Sequence, residues 1–468
     1  MKISTILFKA LFVLLLTSPF HSFATHNRAG EIHVEYIDNL TRQATVITYT
    51  KASSIPADRT QLLIIWGDGK QDTVKRSNDK GELLNGDIKK NLYIFTHKYE
   101  NYGNYTISSL DPNRNGGILN VNFPQSDAVM FYIQTSIVVL ASLKNSTPRL
   151  LNPPIDKGVV GIPFKHIVNA FDVEGDSIAY KLVVPLEDFN RPVPLYEFPD
   201  KIKAGTNNKI TLDEKTGEFL WNSPQQKGEY NIAIKIISYR NGVAIDSTVR
   251  DMQILIDIIA SPLLPEIVTE IPPLTEVKAG QEVLLILKSK IGQSLQSGNA
   301  IRQLNVTATG GAFEVLNNKA EFNNQKGYQT ILSDTFRWKI TEQHARKMPY
   351  MVVFKIEDNT FDSMGLVNFY ILQIKVNSLA SKTQDVDNQA LKIYPNPANE
   401  AITLDFDNKN EPVLIDVFDV TGRNIFSTTV KNANQYQLKK ENVGKGIFGV
   451  RAYFEKSNTV AVKKIVFQ

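Results

Sequence analysis

Apolar residues recur at every second position from Glu31 onward. Ile32, Val34 and Tyr36 alternate with polar neighbours, and Ala44-Thr45-Val46-Ile47-Thr48-Tyr49 keeps the same period. A period of two sends successive side chains to opposite faces of a strand, and helical spacing of useful length is hard to find anywhere in the chain. The expected class is therefore all-β. With 468 residues, about three times the ~100 to 200 of one domain, several independent cores are expected.

Prolines and small polar residues punctuate the alternation. They cluster at Asn145-Ser146-Thr147-Pro148, Ser261-Pro262-Leu263-Leu264-Pro265, Pro272-Pro273 and the polar stretch Ser378 to Asn388. Such clusters end strands and mark seams. The segments between them are 25–143, 148–259, 265–377 and 391–468, with 378–390 as a linker. The two middle segments end alike. Trp221 leads to Tyr230-Asn-Ile-Ala-Ile-Lys-Ile, a turn at Asn241-Gly242, then Met252-Gln-Ile-Leu-Ile. Trp338 leads to Tyr350-Met-Val-Val-Phe-Lys-Ile, a turn near Asp358-Asn359, then Ile371-Leu-Gln-Ile-Lys-Val. The pattern predicts two copies of one β-sandwich, each Trp filling the space between sheets.

The first 24 residues have the form of a secretory signal peptide. Lys2 and Lys9 precede the apolar run Ala10 to Leu16, and Ser22-Phe23-Ala24 supplies a small-residue exit with cleavage after Ala24. A membrane anchor needs roughly 18 consecutive apolar residues, and this run meets Thr17, Ser18 and Pro19 first. Later apolar stretches such as Ile254 to Ile259 fit a buried strand. Cysteine is absent, which removes disulfides, thiolate metal sites, a catalytic thiol and a lipidated anchor. Formal charge is +4, and the two leader lysines lower it to +2 for the mature chain. That balance gives no case for nucleic acid as a partner.

Catalytic patterns are missing. His-Glu-x-x-His, Gly-x-Ser-x-Gly and phosphate-loop glycines do not occur, and the six histidines are scattered. Gly175-Asp176-Ser177-Ile178 superficially resembles the nucleophile block of GDSL-type esterases, but the late Asp-x-x-His of that family is lacking. No catalytic residue is assigned, and no enzyme is expected. Among the aromatics Tyr93, Phe95, Tyr99, Tyr102 and Tyr105, alternating spacing makes most of them core rather than a sugar platform.

Resemblances to known families run along the segments. Trp66-Gly67-Asp68-Gly69, His97-Lys98-Tyr99 and Gly103-Asn104-Tyr105-Thr106 stand in the order of polycystic-kidney-disease-type (PKD) sandwich domains. In physical terms the Gly-Asp-Gly permits a tight turn with positive φ, and Asp68 can bond the turn backbone, so His97 is structural. Upstream, Thr25 to Ile32 resembles the start of some Bacteroidetes surface and gliding-associated proteins. Residues 150–259 resemble cadherin-like and immunoglobulin-like domains of bacterial surface proteins, through Asp172-Val-Glu174-Gly175-Asp176, Asp213-x-x-Thr-Gly217 and Gly228-Glu-Tyr230. Asp172, Glu174 and Asp176 put three carboxylates at alternate positions, a spacing open to calcium or to a solvated interdomain turn. A full calcium loop needs six to eight oxygens, and no EF-hand spacing follows Asp176.

The last segment resembles the type A C-terminal sorting domain of the type IX (Por) secretion system. Its marks are Tyr394-Pro395-Asn396-Pro397, Asp419-Val-Thr-Gly422-Arg423, Gly446-Ile-Phe448-Gly-Val450 and Lys463-Lys464-Ile-Val, with Phe448 where Tyr is usual. Pro395 and Pro397 cannot donate to a ladder and so begin the segment, while Asp419 to Gly422 supplies a hairpin turn. Together these readings predict tandem immunoglobulin-like β-sandwich modules in an extended string. The resemblances imply a non-enzymatic protein displayed on the cell surface or secreted, serving adhesion or gliding-related contact. The alternative is a carbohydrate-binding accessory of a polysaccharide-utilising system. Implied partners are the type IX translocon, a sortase-like enzyme cutting between Ser378 and Ala390, anionic lipopolysaccharide, and a glycan or protein ligand.

Overall fold

The computed structural model describes residues 27–468 apart from 56–57, 85, 260–263, 291–302, 325–330, 359–364, 380–384, 387–389, 407–410, 432–433 and 458. The expected leader and most of the expected linker lie outside the described residues. The chain divides into two units, Met1–Asn377 and Ser378–Gln468. Both are all-β, with immunoglobulin-like two-sheet packing, and among the described residues no helix is long and apolar enough to cross a membrane.

In the first unit, residues 27–139 form two layers. Gln71–Lys75, Gln61–Ile65, Gly103–Asp111 and Phe131–Val139 make one, and Asn27–Tyr36, Thr41–Lys51, Ile88–Lys98 and Glu82–Leu84 the other. The alternation read from the sequence is what fills the space between them. Ile32, Val34, Ala44 and Val46 from one layer meet Ile64, Trp66, Ile107 and Ile133 from the other in a single buried cluster.

These layers do not close on themselves. Both run into the 15-residue strand Val243–Asp257 of the next segment. Along one edge this strand pairs Asp246–Thr248 with Ile137–Thr135, then Met252 and Asp251 with Ala29 and Gly30, then Leu255–Asp257 with Lys157–Val159. Its other edge forms a hairpin with Gly228–Arg240. The seam expected at 145–148 is thus crossed by sheet hydrogen bonds, because one long edge has room for several shorter strands in succession.

Polar side chains lock this junction. Arg250 and Asp251 are neighbours and therefore point to opposite faces of the strand. Arg250 grips Glu31 through Nε and Nη2, both at 2.7 Å, and also donates to the Asn152 carbonyl at 2.6 Å. Asp251 accepts two bonds from Arg114, at 3.0 and 2.6 Å, and one from Asn231 at 2.8 Å. Both ion pairs are fully buried, with side chains at most 2% exposed. Two-point pairing with further hydrogen bonds is the condition under which buried charges are tolerated.

The two middle segments are copies of one topology. Ser177–Val183, Gly228–Arg240, Val243–Asp257 and a parallel Lys157–Val159 correspond to Leu304–Gly310, Tyr350–Asp358, Val367–Asn377 and a parallel Thr275–Lys278. Opposite them lie Phe164–Ile167, Glu218–Trp221 and Ile210–Leu212 in the first copy, and Glu282–Lys290, Ile331–Lys339 and Glu321–Asn323 in the second. Each buried Trp stands edge-on to the Tyr of the following strand: Trp221 to Tyr230 at 4.7 Å and 84°, Trp338 to Tyr350 at 4.9 Å and 77°. Each indole N–H finds an acceptor, Asn208 at 2.6 Å and the Asn318 carbonyl at 2.9 Å.

Ile167, Val353, Val367 and Phe369 form an apolar patch between the copies. Beside it the buried Asp156 carboxylate meets the His166 ring at 3.0 Å and the Lys355 ammonium at 2.7 Å. Burial holds the His166 ring below its ordinary pKa although Asp156 opposes the shift.

Removing one partner of a buried pair strands a charge and costs about 3–5 kcal/mol, whereas replacing both by apolar groups costs far less. Asp251→Ala is expected to lower the urea midpoint of the chain strongly. The double change Arg114→Met with Asp251→Leu is expected to lower it less. Urea titrations of parent and variants compare the two directly.

Candidate functional site

The sorting-like unit is built from a five-stranded sheet and a three-stranded one. Asp385–Val386, Thr459–Phe467, Gly446–Phe454, Val413–Phe418 and Asn424–Val430 form the first, and Lys392–Tyr394, Ala401–Asp405 and Gln435–Lys439 the second. Ile402, Leu404, Ile415, Val417, Val450 and Ile465 share its core.

The structure brings the first and last sequence marks together. The Asn396 amide donates to the Lys464 carbonyl at 2.7 Å and accepts from the Val466 N–H at 2.9 Å. Next to it Ala398 bridges to Phe467, its N–H donating to the Val466 carbonyl at 2.9 Å. Pro395 and Pro397, which lack N–H groups, flank this clamp, so the loop is held by one side chain and one backbone bridge. Lys463 and Lys464 pair with Val450 and Gly449 within the sheet, and the Lys464 side chain is exposed.

Asp419 organises its hairpin. Its Oδ1 accepts from the Thr421 N–H at 2.9 Å and the Arg423 N–H at 3.1 Å, and its Oδ2 meets Arg423 Nε at 3.2 Å. The Thr421 hydroxyl also donates to Oδ1 and is the main reason the Asp419 carboxyl stays below the usual range, and Gly422 takes the left-handed φ of +83° that the turn requires. Gly446 also has positive φ, at +149°. Phe448 lies in the core, where the ring without a hydroxyl leaves no polar atom to satisfy.

The Trp66-Gly67-Asp68-Gly69 turn is structural. Trp66 is buried, stacks on His97 at 4.6 Å and donates to Asp72 at 2.8 Å. His97 Nε2 bonds Asp68 at 2.8 Å, and Tyr99 donates to the Trp66 carbonyl at 3.1 Å. Burial opposes ionisation of Asp68, but the His97 and Lys70 hydrogen bonds prevail and hold its carboxyl below the usual range. A Cβ on Gly67 would come within 2.6 Å of the Thr106 carbonyl. Of the clustered aromatics Tyr93 and Tyr99 are core, and Tyr102 is exposed.

Asp172, Glu174 and Asp176 share one corner and are engaged separately. Asp172 Oδ1 accepts from the Gly175 and Asp176 N–H groups at 2.7 and 2.9 Å. Asp176 is held at two points by Arg240, at 2.8 and 2.6 Å, and Glu174 accepts from the Ser146 N–H at 3.1 Å. Among the described residues no group of three or more His, Cys, Asp or Glu side chains is disposed to hold a metal ion. The sequence reading missed a fourth carboxylate at this corner, Asp246, which accepts from Asn145 at 2.6 Å. Its pKa is pushed up to about 7, first by burial and then by the charges of Asp172 and Asp176. Nothing local marked it, since Asp246 lies in an otherwise ordinary strand.

Residues 392–468 match the model of the family described as the secretion system C-terminal sorting domain. No curated protein is significantly similar to the chain. Among solved structures, the chain is similar to the insect immune protein hemolin, at 13% identity over 94% of this chain and 99% of that one with a TM-score of 0.20. It is likewise similar to the N-terminal four Ig domains of Dscam1 isoform 6.44, at 10% identity over 94% and 100%, TM-score 0.18. Human desmocollin-1 ectodomain matches at 11% identity over 96% and 73%, TM-score 0.18. The sorting domain means that the chain is exported, to the cell surface or into the medium, and that it engages the type IX secretion machinery.

Two outcomes follow from this geometry. Asn396→Ala removes both bonds of the clamp, each worth about 1 kcal/mol, and is expected to lower the melting temperature of the 378–468 unit; Asn396→Asp, which sets a carboxylate oxygen against the Lys464 carbonyl, is expected to lower it as well. For Asp246, the folded chain keeps a proton that the unfolded chain releases near 3.8, so this carboxyl makes stability fall as pH rises from about 4 to about 7. The difference in melting temperature between parent and Asp246→Asn, measured from pH 4.5 to 8, should therefore widen in favour of the variant.

Proposed function

We propose that this protein is a non-enzymatic adhesin of the cell surface, in which residues 27–377 present a rigid, multi-module contact surface and residues 378–468 serve as the export address. The match of 392–468 to a secretion sorting domain carries the reading, because a domain that specifies export implies that the rest of the chain acts outside the cell. The engagement of buried polar groups supports a structural role for the rest: His97, His166, Arg114 and Arg250 are each tied into pairs that hold turns or junctions. In this reading a sortase-like enzyme cuts within 378–390, and the released modules are joined to anionic lipopolysaccharide or shed.

The export half is tested by fusing residues 378–468 to a fluorescent reporter behind the leader. Fluorescence on the surface or in the medium only when the type IX system works is the expected result. Reporter held in the periplasm with or without that system would defeat the reading. The adhesive half predicts that cells deleted for the chain attach to surfaces less than the parent, with attachment restored by the full-length gene.

A further inference from the structure

The fused sheet of residues 27–257 carries an open trough of about 420 Å³ on the outer side of four adjacent strands, Gly103–Asp111, Phe131–Val139, Val243–Asp257 and Gly228–Arg240. It exists only because the two segments share a sheet: half its floor comes from each side of the seam. Register puts Thr106, Ser136, Ser247 and Ile237 in one row across the strands. The Thr106 and Ser136 hydroxyls bond one another at 3.1 Å, and both residues are half-buried. Asn104 and Tyr239 lie along the same trough, with Lys235 also lining it. Asp246 also lines it: its Oδ2 accepts from Asn145, and burial, with the nearby Asp172 and Asp176 charges, raises its pKa to about 7, so that it is mostly uncharged below that pH.

We propose that this trough binds an acidic polysaccharide. The proposal rests on the adhesive reading and names its ligand class. Neutral hydroxyls and an amide both donate and accept, which suits a ligand whose own polar groups are hydroxyls. Neighbouring strands stand about 4.8 Å apart, close to the repeat of one pyranose ring, so a chain lying across the strands meets a new hydroxyl with each sugar. Ile237 and Tyr239 offer an apolar face to the C–H face of a ring, and the Lys235 ammonium pairs with a uronate carboxylate. Other occupants fit less well. A peptide adding itself as a strand needs a free edge, and each of these four strands has a neighbouring strand on both sides.

The test uses the full mature chain and sodium alginate, with laminarin as the neutral comparison, by affinity electrophoresis and titration calorimetry. Alginate is expected to bind more tightly than laminarin. Ser136→Leu, which fills the trough, and Lys235→Glu, at a half-buried position, are each expected to weaken alginate binding at least tenfold with unchanged melting temperature. If Ser136→Leu disturbs the fold, Lys235→Glu and Tyr239→Ala decide alone. Absence of alginate binding, or binding that survives these changes, overturns the proposal. Cells that attach through the chain although alginate is ignored would leave adhesion standing and remove only the trough; attachment that does not depend on the chain, with alginate still bound, would remove adhesion and leave the trough.

Discussion

The strand Val243–Asp257 is the constraint on which the first unit depends. Backbone donors and acceptors along a strand edge must be paired, and this one has 15 residues to satisfy. It does so with three partners in series, from Phe131–Val139, Asn27–Tyr36 and Lys157–Val159. The two layers of 27–139 therefore end on a strand that belongs to the next segment. Arg250 and Asp251 make that arrangement specific, since their counter-charges Glu31 and Arg114 sit where only this register places them. A slip by one residue would exchange the faces of both charges and leave each buried without a partner.

The same economy recurs between the two copies of the Trp-Tyr sandwich. There an apolar patch is joined to a buried Asp156 that satisfies both His166 and Lys355. Asn169 donates to Thr309, which in turn donates to Asn152, so side chains from both copies form one hydrogen-bonded chain. The first unit is thus held at each internal boundary by buried charge pairs. Such boundaries fix the angle between neighbours more firmly than apolar contact alone, because charges and amides tolerate little displacement.

What the sequence disclosed, and what it hid, divides along chain distance. The Trp66 to Gly69 turn and the Asp419 to Arg423 hairpin were legible because their chemistry lies within a few residues: an aspartate bonding the next backbone N–H groups and a glycine accepting positive φ. The doubled Trp-to-Tyr ending was legible from periodicity. The Asn396 clamp was visible as a motif but not as a contact, since its acceptor lies 68 residues away. Arg114, Asp251, Arg250 and Glu31 were not legible at all. Two adjacent charges inside an apolar strand were the available sign, and a lone sequence does not say which distant residues neutralise them. For the same reason the seam after residue 143 read as a boundary, although the sheet runs through it.

That long-range closure sets the order in which the chain can fold. Glu31 and Arg250 are 219 positions apart, so the strand that emerges first has no completed partner edge until more than half of the chain is available. Loop closure over such a span must precede the contacts that reward it, which makes folding slow and leaves strand edges open meanwhile. A chain delivered across membranes from its amino end would hold its first module incomplete during passage, and the arrival of Val243–Asp257 would convert two open half-sandwiches into one closed body in a single late step.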